Sequence, residues 1–121
     1  MPRRAGSNVR GKWTELQKLA LSFPEAWEDY PWDEVVVKVR KKIFVFLGHA
    51  DSDPLTITVK LTESRDHALT MDGAAPSGYG MGKSGWVTLP ITDVALDLLR
   101  DWVEESFRNV APKTVAAKLE R

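Results

Sequence analysis

Trp13, Leu16, Leu19, Ala20 and Phe23 recur three and four residues apart, which places them on one stripe of a helix. The pattern predicts a first helix from about Lys12 or Thr14 to Ser22, with Thr14 and Gln17 at the positions of a capping box. Pro24 opposes continuation, because the residue before a proline avoids the helical region. Residues 25–33, Glu-Ala-Trp-Glu-Asp-Tyr-Pro-Trp-Asp, read as an acidic, aromatic linker with room for one helical turn.

The rhythm then changes to two. From Glu34 to Arg40, Val35, Val37 and Val39 fall on one face and Val36, Lys38 and Arg40 on the other. Lys41-Lys42 is a short connection to Ile43–Leu47, which is apolar on both faces and so predicts a central strand. After a turn-rich segment, Leu55, Ile57, Val59 and Leu61 alternate with Thr56, Thr58, Lys60 and Thr62, a strand with one dry and one wet face. Short connections make these three strands an antiparallel meander.

A short helix is predicted from about Ser64 to Met71, and a fourth strand over Trp86–Leu89. The strongest helical pattern runs from Asp93 to Asn109. Leu98, Leu99, Trp102, Val103 and Phe107 line one side, acids and arginines the other, and Asp93 is placed to cap the start. Pro112 ends it and opens a last short helix, Lys113 to Leu119. The order predicts an α+β domain of two layers, an antiparallel sheet with helices packed on one face.

Composition narrows the classes. At 121 residues the chain is expected to be a single domain over 12–121, preceded by a flexible basic arm over 1–11 that carries Arg3, Arg4 and Arg10. With no cysteine, disulfides and thiolate metal sites are excluded, and a reducing cytoplasm is the expected compartment. No apolar run is long enough to span a membrane. Lys+Arg and Asp+Glu are equal at 17 each, so any polyanion-binding surface must come from segregation of charge. Such segregation is visible: Lys38, Arg40, Lys41 and Lys42 meet no acid in their own stretch, while acids cluster over 25–34 and 93–105.

Gly78-Tyr79-Gly80-Met81-Gly82-Lys83-Ser84-Gly85-Trp86 is the most distinctive segment. It narrowly misses a phosphate-binding P-loop, because Ser77 stands where the first glycine is needed and a strand, not a helix, follows. Lys83 remains a candidate anion contact, helped by glycines whose N–H groups can form a nest. The alternative is structural: glycines permit a tight entry to the strand and Trp86 packs in the core. Tyr79 is a candidate for base stacking, or else covers the core. His49 and His67 are too few and too far apart for a metal site or a catalytic triad, so neither metal nor other cofactor is expected and the chain reads as non-enzymatic.

Three blocks carry a resemblance: Phe23-Pro24-Glu25-Ala26-Trp27 through Leu47, Tyr79-Gly80-Met81-Gly82-Lys83-Ser84-Gly85-Trp86-Val87, and Glu105 to Lys113 with its Val-Ala-Pro-Lys ending. In that order they resemble the MmcQ/YjbR family, with Phe107 where that family usually has Tyr or Trp. The resemblance implies a CyaY-like α+β fold and a DNA-binding label that rests on shape similarity to double-wing DNA binders. The resulting expectation is non-enzymatic contact with the phosphate backbone of double-stranded DNA by Lys38, Arg40, Lys41, Lys42 and Lys83, with Tyr79 and Trp86 beside them. The expected state is a monomer or weak homodimer. The alternative is a protein- or small-ligand-binding module that uses the aromatic segment Trp27–Trp32.

Overall fold

The computed structural model describes residues 5–78 and 80–119. Helix α1 (Ala5–Ser22) leads into strand β1 (Ala26–Asp29), then β2 (Val35–Val39), β3 (Lys42–Gly48) and β4 (Thr56–Lys60). Helix α2 (Arg65–Leu69) and the two-residue strand β5 (Ala75–Pro76) precede β6 (Trp86–Pro90), helix α3 (Leu96–Val110) and helix α4 (Lys113–Ala116). The six strands form one antiparallel sheet in the order β1-β2-β3-β4-β6-β5. This is the expected α+β architecture.

The helices bury one face of the sheet. Val37, Val39, Phe44, Ile57, Val59, Val87 and Leu89 reach that layer and meet Trp13 and Leu16 of α1 and Leu99, Trp102, Val103 and Phe107 of α3. Phe23, Phe44 and Phe107 form an aromatic trio, with ring centroids 4.8–5.9 Å apart. Here Phe107 fills a fully buried position with no polar tip to satisfy.

Several features differ from expectation. Helix α1 begins at Ala5, so residues 5–11 belong to it rather than to an arm, and Thr14 and Gln17 lie inside it rather than at its cap. Poor helix formers there are overridden by docking. Val9 extends the buried stripe, and the Lys12 ammonium donates to the carbonyls of Ile91, Thr92 and Val94 at 3.2, 3.0 and 2.7 Å. Residues 26–29, read as linker, form edge strand β1, because Glu25 at φ 59 reverses the chain directly after the helix. Helix α3 starts at Leu96 with Ala95 at its cap, not Asp93. Finally, Trp86 lies on the open face opposite Lys60, not in the core: the buried residues of β6 are Val87 and Leu89.

Candidate nucleic-acid interface

The face of the sheet away from the helices carries a row of side chains in adjacent register. Trp27 pairs with Lys38, Lys38 with Ile43, and Lys60 with Trp86. Between β3 and β4 the ladder covers only Val45 with Val59 and Phe46 with Thr58. At the next rung the buried hydroxyl of Ser106 intervenes, accepting the N–H of Lys60 at 2.7 Å and donating to the carbonyl of Phe44. Asn109 then donates to the Lys60 carbonyl at 2.8 Å. Helix α3 thus supplies the polar partners that β3 no longer provides, and the two strands diverge.

A cleft of about 410 Å³ opens at that divergence. Lys38, Lys41, Lys42 and Lys60 line it, with Ile43, Trp86 and Asn109 between them. A second cleft, about 620 Å³, shares Lys41, Lys42 and Val110 with the first and adds Arg40 and Lys113. Together they make one groove between the β2–β3 hairpin and the α3–α4 junction. No carboxylate lines either part.

The cations of the groove are of two kinds. The Lys38 ammonium is 2.8 Å from Asp29 and stands 5.1 Å from the centre of the Trp27 ring. Arg40 grips both oxygens of Glu25, at 2.8 and 3.3 Å, and Lys118 approaches the same carboxylate at 3.4 Å. Hydrogen bonding by Arg40, then by Lys118, holds the Glu25 carboxyl below its ordinary value. The Lys38 hydrogen bond, helped by the Tyr30 N–H, does the same for Asp29. These pairs correct the expectation that the basic run meets no acid. Strand β1 lies antiparallel to β2 and brings Asp29 at its end to Lys38 and Glu25, just before its start, to Arg40. By contrast, Lys41, Lys42, Lys60 and Lys113 make no ion pair among the described residues.

Lys83 is exposed on the 3-10 turn Met81–Ser84 and lines neither cleft. The glycine-rich loop does not form an anion nest. The N–H groups of Met81, Gly82, Lys83 and Gly85 donate to the carbonyls of Gly78, Ser77, Gly80 and Gly82. Two of its glycines answer to close packing instead: a Cβ at Gly82 would lie 2.6 Å from that of Pro76, and one at Gly85 2.6 Å from the Leu61 carbonyl oxygen. Tyr79, Arg3 and Arg4 lie outside the described residues.

Sequence reasoning missed Lys113 and Asn109 as groove residues, and it placed Lys60 on the open face without assigning it a role. One signal was available. Ser106 falls on the buried stripe of α3, with Trp102, Val103 and Phe107, and a lone hydroxyl there calls for a partner.

His49 and His67 do not converge on a site. His67 is exposed, its ring edge-on to Trp102 at 5.6 Å, and His49 stays within its own exposed turn. Among the described residues, no group of three or more His, Asp and Glu could hold a metal ion, and no helix is long and apolar enough to cross a membrane.

The YjbR family model matches residues 21–109, a span that holds all six strands and most of α3. The chain belongs to the YjbR family. A YjbR-like fold is also seen in the crystal structure of Deinococcus radiodurans protein DR2400, a DUF419 domain. That protein is 25% identical, the match covers 88% of this chain and 86% of that one, and the TM-score is 0.69. No curated protein matches the chain in sequence. This YjbR protein therefore shares its fold with a solved relative.

Proposed function

We propose that this YjbR protein binds nucleic acid without catalysing a reaction, through phosphate contacts made from the groove. One observation carries the reading: Lys41, Lys42, Lys60 and Lys113 line a groove without carboxylates and have no ion-pair partner among the described residues. Unpaired cations on a low-dielectric wall focus a positive potential that a polyanion answers. Neutralising four phosphates predicts a log K against log salt slope of about −3.6 on duplex DNA and about −2.8 on a single strand. Fluorescence anisotropy of labelled oligonucleotides between low and physiological salt measures it, and an affinity indifferent to salt refutes the reading.

A second reading draws on the exposed aromatics. Trp27, Tyr30 and Trp32 are 44%, 57% and 92% exposed, and Trp32 holds a positive φ of 51, an uncommon conformation for so bulky a residue. A strained, solvent-facing tryptophan beside an edge strand suits contact with another protein. Sedimentation velocity across a concentration series tests self-association through this arc; a single invariant species removes that partner.

A further inference from the structure

The open face that carries Lys38 and Lys60 also carries two indoles, one at each end of the row. Trp27 of β1 and Trp86 of β6 bracket Lys38 and Lys60. Both rings are held in place. The Trp27 indole donates to the Arg40 carbonyl at 2.7 Å and has the Lys38 ammonium over its ring at 5.1 Å, a cation that an incoming base would displace, and the Trp86 and Phe46 rings meet in a T-shape at 5.6 Å. Trp86 itself lines the cleft among the lysines.

Backbone attraction alone has no use for fixed indole faces. A duplex hides the faces of its bases in the stack and offers grooves that admit a protruding helix or ribbon. This surface is the opposite shape, a cleft that receives something projecting. An unstacked base projects, is flat, and finds in an immobile indole a partner that needs no further ordering. Cations between aromatic platforms are the arrangement by which a strand is held with its bases down and its phosphates at the rim.

We infer that the groove's occupant is single-stranded nucleic acid, with one base stacked on Trp86, another reaching Trp27, and the intervening phosphates on Lys60 and Lys42. The inference rests on the nucleic-acid reading above and specifies the state of the strand. Charge complementarity and paired platforms select this occupant over an acidic peptide, which would use the lysines but leave the platforms empty.

The test compares an unstructured oligothymidine with a mixed-sequence duplex of equal length, at matched salt, on the full chain. Single-strand binding at least about tenfold tighter is expected. Trp86→Leu should weaken single-strand binding about tenfold with an unchanged salt slope, because stacking releases no counterions. Lys60→Gln should instead flatten the slope by about 0.7. Trp86→Phe, which keeps a platform, should recover most of the loss, and matched circular dichroism melts separate lost stacking from lost fold. Equal affinity for strand and duplex, with Trp86→Leu neutral, overturns the inference and leaves the backbone reading standing. No binding to either overturns both.

Discussion

Ser106 of α3 accepts the backbone N–H of Lys60 at 2.7 Å, at the rung where β4 would otherwise meet β3. A helix side chain is thereby built into a sheet. The hydroxyl has no exposure to water, so it depends on the two bonds it makes among the described residues. Divergence of β3 and β4, and with it the lysine-lined cleft, begins at this residue.

Ser106→Ala should therefore cost more than a surface substitution. Removing the hydroxyl leaves the Lys60 N–H and the Phe44 carbonyl short of a partner. The expected loss is about 1–3 kcal/mol of unfolding free energy, read from urea denaturation midpoints. A change within error would mean that the strands close up and pair directly.

Gly85 and Gly80 make a controlled comparison. Both have positive φ, 99 and 80, but a Cβ at Gly85 would strike the Leu61 carbonyl oxygen while one at Gly80 meets nothing within 4 Å. Gly80→Ala is expected to cost about 1 kcal/mol, the ordinary left-handed penalty. Gly85→Ala adds a backbone clash to that penalty and should cost about 2–3 kcal/mol or more. Thermal melts of the two variants side by side read the difference.

The Glu25–Arg40 pair offers a gain-of-binding test. Glu25→Gln removes the carboxylate that engages both Arg40 and Lys118. Release of Arg40, which lines the groove, should steepen the salt slope by about 0.7–0.9 and tighten nucleic-acid binding at low salt. Anisotropy titrations of the variant against the native protein measure it; an unchanged slope would mean that Arg40 does not reach the ligand.

Stability should fall in acid in a defined direction. Burial pushes Glu105 up, but this is outweighed by the Ser64 hydroxyl and the N–H groups of Thr62, Ser64 and Glu63, so its carboxyl sits below the ordinary value. Glu25 and Asp29 are lowered by Arg40 and Lys38. A carboxylate whose folded pKa is depressed stabilises the fold above its unfolded pKa and loses that contribution as pH drops through the folded one. Unfolding free energy should thus hold near neutrality and decline below the ordinary carboxylate range. Glu105→Gln should flatten that decline, as urea titrations at stepped pH will show.

Trp32→Ser should leave folding almost untouched. With 92% exposure the ring contributes little burial, so a change under about 0.5 kcal/mol is expected by chemical denaturation. A larger loss would show that the side chain covers more of the fold than its exposure implies.

Periodicity alone was enough for most of this architecture. The alternation of Val35 to Val39 and Leu55 to Leu61, and the stripe of Leu99, Trp102, Val103 and Phe107, each encode in a short window which face is dry. Those faces could pack in few ways other than a sheet under helices. Strand β1 escaped the same reading because four residues with one aromatic and two acids, next to Pro24, carry no usable period. Its strand character comes from β2 alongside it.

Missing β1 hid the partners of Lys38 and Arg40, since Asp29 and Glu25 reach them only across that pairing. The groove was hidden for a related reason. Lys60, Trp86 and the segment from Asn109 to Lys113 lie far apart in the chain, and no local pattern records that Ser106 parts two strands to bring them together. Spacing along a chain determines which way a side chain faces, because backbone geometry repeats with fixed period. Which distant side chains then share a wall, and which charges are already spent on each other, depends on how the segments are laid against one another, and only the folded structure decides that.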